Sequence, residues 1–445
     1  MTPTISSASA GDVGRREGLA DVLATGFGTT VAMWTVGYVC RLPPAVVPNA
    51  MMAAAMLACV VVGGFVAGRY GPRGWRGGLY VGIVSSLLNM LILGSLLTGD
   101  RPNQIVPSAM LWIPGAVFFS ALLGAGGGAI GARSPRTHTD TNWSARFACT
   151  AAAATLLLLI AGGLVTSADA GLAVVDWPNS FGYNMFLYPL GRMTGGIYYE
   201  HAHRLFGSLV GLTVLVLALH VQRSGPSRWL KLYAWLTLLC VIVQGVLGGL
   251  RVTGRFTLST SPHDTAPSIT LAIVHGVFGQ IVFGMIVSFT VLLSRHWQRP
   301  AALMNSASAA TDRGLHVLLV CLLVIQLVLG ALLRHISDGL LIHISTAAIV
   351  ILLALACGLR AWGLYGDIPV LRRIGAGLVF MTAGQVFLGI AALVAVGLWS
   401  SLSTRPPAEV VLATAHQALG AAILACAVML MLFHWRLVAP ANPAA

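Results

Sequence analysis

The sequence predicts an all-α polytopic membrane protein, and both its composition and its hydropathy pattern lead to that fold class. Apolar residues make up 57% of the 445 residues and charged residues 9%, whereas a soluble domain of this length needs far more surface charge. Apolar runs of roughly 20 residues, each sufficient to cross about 30 Å of hydrocarbon as a helix, recur along the chain. Because backbone groups in lipid must bond internally and these runs are too long for barrel strands, the spans are helices.

Twelve spans are predicted, and one loop divides them into two groups. The loop at 131–146 follows four spans without histidine and precedes an eight-span part that holds eleven of the twelve histidines. We therefore expect a four-span N-terminal membrane domain of unassigned role at 1–140, a first four-helix bundle at 141–300 and a second at 301–445. The predicted spans are 20–41, 47–68, 78–98, 106–131, 145–167, 200–222, 230–250, 268–294, 314–333, 339–360, 371–397 and 408–435.

The distribution of basic residues predicts the orientation of the spans. The net charge is +13, and with the N-terminus inside, the inner loops carry 18 of the 26 Lys and Arg residues and the outer side seven. This positive-inside pattern predicts a multi-pass protein of the cell inner membrane with both termini in the cytoplasm. It explains the basicity as a topology signal, so we expect the lipid bilayer and no nucleic acid as a partner.

Three further features of the sequence exclude simpler explanations. The polar N-terminal stretch has no small-residue cleavage site, so no removable signal or transit peptide is expected. The seven cysteines lie within or beside spans, and the chain contains no CxxCH motif, which excludes covalent c-type haem attachment. The glycine run GAGGGAIG (124–131) follows no strand and ends a span, so it predicts close helix packing rather than a nucleotide loop.

The eight-span part repeats itself. The spacing from glutamine to histidine is 31 residues both from Gln244 to His275 and from Gln385 to His416. An even number of spans per repeat gives both bundles the same orientation, related by a pseudo-twofold axis along the membrane normal. The pattern Gln-x-x-Leu-Gly occurs at 244–248, 326–330 and 385–389, each near the outer end of an outward-running helix.

Four histidines carry the functional prediction: His203, His275, His343 and His416. Each is predicted in the first two turns of a helix that runs from outside to inside, two per bundle and all at similar depth. Polar residues within spans are costly and usually functional, and two histidines facing across a bundle can supply both axial ligands of a haem iron. Zinc needs three or four converging ligands, which two histidines per bundle do not supply, so haem fits better.

Small and basic residues near these histidines also suit haem. The residue four positions after each histidine is small and leaves room on the same helical face, although small residues also serve helix packing; these residues are Gly207, Gly279, Ala347 and Gly420. Propionate groups need cations near the outer surface, although ordinary loop charge is the alternative. The candidates are Arg204, Arg251, Arg255, Arg334 and Arg405, with Arg204, Arg251 and Arg334 singled out as propionate or second-shell residues.

The two bundles are not equivalent. The first has Glu200 three residues before His203, and a long outer loop at 168–199, whereas the second has neither feature. Long loops are usually functional, and an acid near a haem edge can accept or donate protons during substrate oxidation. Pairing of Glu200 with Arg204 at i+4 is the alternative. We therefore predict chemistry in the first bundle and electron carriage in the second, and assign no role to His201, which stands roughly 160° around the helix from His203.

Residues 145–435 resemble the haem A synthases. The Glu-x-x-His-Arg signature of that family falls on Glu200, His203 and Arg204. The motifs that carry the resemblance are GGLVTSADAGLAVVDWPNSFG (162–182), GGIYYEHAHRLFGS (195–208), QGVLGGLRV (244–252), HGVFGQ (275–280) and HQALG (416–420).

The resemblance implies an oxidoreductase acting on CH or CH2 groups. Haem A synthases oxidise the C8 methyl group of haem O to a formyl group by successive hydroxylations, giving haem A for cytochrome oxidase. The family's substrate site matches His203 and His275 with Glu200 as the catalytic acid, and its haem b cofactor site matches His343 and His416. Implied partners are a haem O synthase upstream and cytochrome oxidase assembly factors downstream, and a homo-oligomer is left open.

The chain departs from the family at two places, and two other functions compete. Some members carry a cysteine pair in the first outer loop, but 168–199 has none, and the N-terminal spans lie outside the family core. For those spans we expect a packing, partner-binding or lipid-facing role.

A diheme b-type electron carrier or quinol dehydrogenase subunit would explain the four histidines but not the Glu200 asymmetry. A secondary transporter would normally interrupt its helices at the binding site, and no proline lies near these histidines.

Overall fold

The computed structural model describes most of the chain as helix. The described residues are 19–43, 47–93, 98, 101–134, 141–225, 227–253, 268–298, 304–399 and 404–441; the N-terminal stretch, the middle of the dividing loop (135–140) and Arg255 lie outside them. The long helices are α1 (Ala20–Cys40), α2 (Asn49–Tyr70), α3 (Trp75–Leu93), α4 (Ala109–Arg133), α5 (Trp143–Ser167), α6 (Gly195–Ser224), α7 (Arg228–Val252), α8 (Ile269–Leu292), α9 (Ala309–Ile336), α10 (Leu340–Leu364), α11 (Pro369–Trp399) and α12 (Pro407–Leu437).

These helices confirm the predicted fold class. Eleven of them, α3 excepted, are long and apolar enough to cross a membrane, and the chain is therefore a multi-pass α-helical membrane protein. α3 has 19 residues and corresponds to the predicted span 78–98, whose end falls partly outside the described residues. Short strands add little to the fold: β1 (Asn179–Ser180) pairs antiparallel with β2 (Tyr183–Asn184), and β3 (Met304–Ser306) pairs parallel with β4 (Val438–Pro440).

The first compact unit consists of Met1–Leu93, Ile105–Ala151 and Gly211–Leu239, and glycine contacts hold its helices α2, α3 and α4 together. Gly64 lies against the backbone of Gly124, and Gly68 lies against that of Gly128, so a side chain at either position would collide. Backbones that approach this closely gain van der Waals contact that lipid tails cannot provide. The glycine run at 124–131 is thus a helix-packing surface, as predicted.

Polar side chains inside this unit join α1 to α3. Thr30 donates from Oγ1 to Oγ of Ser85 at 3.1 Å, and Trp34 donates from Nε1 to Oδ1 of Asn89 at 2.9 Å. A buried polar group is costly without a partner and specific with one, so these bonds fix the register of the two helices.

The second compact unit consists of Gly94–Gln104, Ala152–Val210 and Cys240–Ala445, and it contains all four predicted haem ligands. Helices α8 and α12 pack through an apolar cluster that includes Phe283, Val287 and Ala421. Asp312, near the start of α9, accepts hydrogen bonds from Arg360, near the end of α10, and from Tyr365, which follows α10 directly. These bonds join α9 to α10. Both histidine pairs therefore belong to one packed body.

We predict that Gly128→Leu destabilises the protein while Gly126→Leu does not. A Cβ on Gly128 would lie 3.0 Å from the backbone of Trp75, and Gly68 meets Gly128 from another helix, whereas a Cβ on Gly126 meets nothing within 4 Å. Overpacking of this kind costs about 1–3 kcal/mol. Thermal unfolding in detergent measures the difference, and equal stability of the two variants would contradict the glycine-packing account.

Candidate functional site

Each of the four histidines rests its imidazole ring on a glycine of the helix that precedes it in sequence. A Cβ added at that glycine would lie 2.8 to 3.3 Å from Cε1 of the ring, so a larger residue would displace the histidine. Because a glycine stands there, the ring can approach the neighbouring backbone closely. The pairs are Gly162 with His203, Gly248 with His275, Gly330 with His343 and Gly389 with His416.

A glutamine side chain supports three of the four rings. Gln244 Nε2 lies 2.7 Å from the carbonyl oxygen of His275 and 3.0 Å from its Nδ1. Gln326 Nε2 lies 3.0 Å from the carbonyl oxygen of His343 and 3.1 Å from its Nδ1, and Gln385 Nε2 lies 3.5 Å from Nε2 of His416. The repeated Gln-x-x-Leu-Gly pattern thus supplies both the amide that holds a histidine and the glycine behind it.

The first pair has the spacing that one haem iron requires. The ring centroids of His203 and His275 are 6.4 Å apart with the rings at 84°. Two imidazoles on opposite faces of one metal ion should have centroids about 6.3 Å apart, given metal–nitrogen bonds of about 2 Å and the ring radii. The residues present therefore fit a haem held from both sides.

The second pair, His343 and His416, lies close enough to interact electrostatically, and Gly330 and Gly389 stand behind its rings. Within the described part of the chain, no group of three or more His, Cys, Asp and Glu residues is arranged to hold a metal ion.

Two of the histidines lie one turn further along their helices than predicted. His203 and His416 lie in the third turn of their helices rather than the first two, because α6 begins at Gly195 and α12 begins at Pro407. Gly195 adopts a positive φ of 54° at the start of α6, and proline is favoured in the first turn of a helix. His275 and His343 lie within the first two turns, as predicted.

The loop between α5 and α6 is an ordered structure next to the first pair. Its β1–β2 hairpin turns through Phe181 and Gly182, both with positive φ, as a two-residue hairpin loop of the primed type requires. The carboxylate of Asp176 accepts the backbone N–H groups of these two residues at 2.7 and 2.9 Å. The loop therefore has its own internal support.

Glu200 and Arg204 fasten this loop to α6. The Glu200 side chain is 3% exposed and accepts from the backbone N–H of Val174 at 2.9 Å and from Arg204 at 2.8 Å. Arg204 also donates to the carbonyl oxygens of Val174, Asp176 and Asn179 at 2.6 to 3.0 Å. The i+4 pairing raised as an alternative is therefore present, and the catalytic role of Glu200 stays a prediction.

Two more contacts bring the loop to the helices, and sequence reasoning had assigned neither. His201 is fully buried, its Nδ1 lies 3.1 Å from Oγ of Ser180, and its ring lies 5.0 Å from that of Tyr188. The indole of Trp177 lies directly on Gly249 of α7, where any side chain would collide with it. His201 thus anchors the loop, and Trp177 covers the helix beside the glycine that supports His275.

Among the candidate cations that the structure describes, Arg251 has a buried donor atom without a partner. The charge of Arg251 interacts with the side chains of His203, His275 and Glu200. Its buried Nε has no hydrogen-bond partner in the described structure. Arg334, by contrast, donates to the carbonyl oxygen of Thr166 at 2.8 Å. Arg251 therefore faces the first pair as a cation ready for an anionic group, while Arg204 acts on the loop.

The eight-helix part is similar to a known family of membrane proteins. Residues 145–344 match the family described as cytochrome oxidase assembly protein. The match covers the first histidine pair and His343. It confirms the resemblance that the sequence motifs predicted.

Two curated relatives are similar over shorter stretches. The chain is 34% identical over 108 residues to the haem A synthase of Lysinibacillus sphaericus, which covers 24% of this chain and 34% of that protein. It is 28% identical over 129 residues to the protoheme IX farnesyltransferase of Haloarcula marismortui, covering 29% of this chain and 25% of that protein. The aligned parts thus span about a third of the first relative's length and a quarter of the second's.

We predict that Arg204→Gln loosens the loop far more than Arg192→Gln. The first change removes a cation that donates to three loop carbonyls, whereas Arg192 donates to the hydroxyl of Tyr183 within the same loop at 3.2 Å. Each hydrogen bond to a charged group contributes about 1.5–3 kcal/mol. Limited proteolysis should therefore cut the loop of Arg204→Gln at least about tenfold faster than wild type; equal rates for the two variants would contradict the clamp.

Proposed function

We propose that the protein is a haem A synthase that oxidises the C8 methyl group of haem O to a formyl group by successive hydroxylations. The observation that carries the proposal is the separation of the His203 and His275 rings, which suits one haem, together with a loop that the buried carboxylate of Glu200 fastens to α6. The family match at 145–344 and the similarity to a haem A synthase support the same function.

In this proposal the first pair is the substrate site. His203 and His275 would bind the substrate iron, and Arg251 would bind a propionate through its unpartnered Nε. Glu200 is held at both oxygens by Val174 and Arg204, and its carboxylate would take up a proton released when the methyl group is oxidised. Trp177 and the hairpin would keep bulk water from the site.

The second pair is the permanent site. His343 and His416 would hold a haem b that supplies one-electron redox chemistry when bound. Helix α5 contacts both sites through two adjacent glycines. Gly162 lies against the ring of His203, and a Cβ on Gly163 would lie 2.9 Å from Oε1 of Gln417, the residue after His416. Electrons from the substrate site would therefore cross two adjacent residues of α5 before they reach the helix of His416.

The setting follows from the same reasoning. The protein would lie in the cell inner membrane with both termini cytoplasmic, as the basic loops indicate. A haem O synthase would supply its substrate, and cytochrome oxidase assembly factors would receive its product. The similarity to a protoheme IX farnesyltransferase supports a substrate of the haem class.

A diheme electron carrier is the second candidate function. It is favoured by one observation, that both oxygens of Glu200 are engaged in hydrogen bonds that a purely structural residue would also make. Such a protein would bind two haems and leave haem O unchanged. The next experiment separates the two functions.

We predict that Glu200→Gln abolishes haem A formation and lets unreacted haem O accumulate on the protein. Loss of a general acid–base typically costs about 10²–10⁴-fold in rate. The measurement is chromatography of haems extracted after co-expression with a haem O synthase. Glu409→Gln is the matched control, because Glu409 is also buried and pairs with an arginine four residues before it, Arg405. Haem A at wild-type level from Glu200→Gln would exclude the catalytic role, and no haem A from wild type would exclude the function.

We further predict that Gly389→Ala weakens the haem of the second pair. The added methyl group would lie 3.0 Å from Cε1 of His416, whereas one at Gly377 of the same helix meets nothing within 4 Å. Loss of the contacts that orient a metal ligand typically costs about 10–100-fold in metal affinity. Haem content after purification measures the loss, with Gly377→Ala as the control; full haem retention in Gly389→Ala would contradict this assignment.

A further inference from the structure

The segment that joins α3 to α4 contacts the loop between α5 and α6. This connector is Gly94–Gln104, and it belongs to the second compact unit, the one that holds the histidine pairs. Its described residues are 98 and 101–104. The connector precedes the residues that match the known family, which begin at 145, so any part it takes in the site lies outside that match.

Two hydrogen bonds join the connector to the loop. Thr98 donates from Oγ1 to the carbonyl oxygen of Leu187 at 2.6 Å. Asn103 accepts through Oδ1 from the backbone N–H of Asn184 at 2.7 Å. Asn184 lies in β2 of a two-stranded sheet, and the edge N–H groups of such a sheet need acceptors from elsewhere in the chain. Asn103 is that acceptor.

Asn103 also has an unusual backbone conformation. Its φ is 61°, in the left-handed region that asparagine tolerates better than most residues other than glycine. One residue thus provides both the turn of the connector and the acceptor for the loop. A glycine at this position would keep the turn and remove the acceptor.

The loop residues that the connector holds adjoin an aromatic cluster that packs on α6. Tyr183 and Tyr188 are both 4% exposed, and their rings are 5.7 Å apart. The ring of Tyr188 lies 5.0 Å from that of His201 on α6. In sequence Tyr183 directly precedes Asn184, and Tyr188 directly follows Leu187. A displacement of the loop at the connector would therefore reach α6 through these rings.

The connector and α6 hold different stretches of the loop. Hydrogen bonds from Glu200 and Arg204 hold residues 174–179, whereas the connector holds residues 184–187. A loop fixed at two separate stretches cannot pivot about either one. Since Glu200 accepts a hydrogen bond from the loop itself, both sets of bonds determine where its carboxylate lies.

We propose that the connector, through Thr98 and Asn103, positions the loop for the oxidation at the first histidine pair. This proposal rests on the proposed function, in which Glu200 takes up a proton there. Thr98 and Asn103 act through the loop and are positioning residues. A misplacement of about 1 Å in a reacting group can cost about 100-fold in rate, so two bonds remote from the histidines are enough to affect the reaction.

The double variant Thr98→Val with Asn103→Gly tests the proposal in the full-length protein. Valine keeps the shape of threonine without its hydroxyl, and glycine keeps the positive φ without the acceptor. Hydrogen exchange of residues 184–188 should become at least about fivefold faster, because both bonds to this stretch are lost. Gln104→Ala is the matched control, because it changes an exposed side chain of the same connector, and it should exchange as wild type does.

The effect on the reaction is measured by extracting haems after co-expression with a haem O synthase. In the double variant the haem bound per chain should stay at the wild-type level, because the glycines behind the histidine rings are unchanged. The fraction recovered as haem A should fall at least about tenfold. Thr98→Ser with Asn103→Asp keeps a donor and an acceptor, so it should restore both slow exchange and conversion, whereas a role in stability alone would appear as a lower unfolding temperature.

Two results would overturn the proposal alone. One is equal loop exchange in wild type and the double variant. The other is faster exchange in the double variant with conversion at the wild-type level. A wild-type protein that binds haem O and forms no haem A would instead overturn the proposed function, and with it the effect on oxidation that is proposed for the connector.

Discussion

The packing of each imidazole ring against a helix backbone is the constraint on which the histidine-bearing part of the structure depends. A haem between two helices needs a nitrogen from each side at a fixed separation, and the ring can reach that position because a glycine stands behind it. The centroid distance of 6.4 Å between His203 and His275 is the result. The same arrangement, in which a glycine on one helix lies behind a histidine ring of the next helix, occurs at His275, His343 and His416.

The two pairs share this geometry and differ in part of their surroundings. The first pair has the clamped loop, the buried Glu200 and the unpartnered Nε of Arg251. The second pair has two glutamine amides and a loop of a few residues between α9 and α10. Under the proposed function, the bundle with the clamped loop and Glu200 would carry out the chemistry, and the other bundle would retain its haem.

The sequence was informative where the signal is local or periodic. Apolar runs predicted the helices, and the repeat spacing predicted which histidines belong together, because both depend on residues of one helix or one repeat. Sequence patterns did not identify the glycines behind the rings. The contact between Gly162 and His203 depends on how two helices joined by a long loop are aligned, which no local pattern predicts. The Gln-x-x-Leu-Gly pattern, which occurs three times, marks these positions in the sequence. Its role became clear only from the structure, in which Gln244 contacts His275.

The fastening of the loop could be predicted in part. The i+4 spacing indicated that Glu200 could pair with Arg204, and the structure contains that pair. The three backbone carbonyls that Arg204 also binds belong to an irregular segment, whose path no periodicity predicts. For the same reason His201 had no assigned role until its contacts with Ser180 and Tyr188 were known.

The most direct test of the central claim is the haem content of single-histidine variants expressed in cells that make haem b but no haem O. The account predicts that wild type retains one tightly bound haem per chain, which His343→Ala and His416→Ala lose and His203→Ala and His275→Ala keep. Loss of that haem from the His203 or His275 variants, with retention in the other two, would contradict the division between a substrate site and a permanent site.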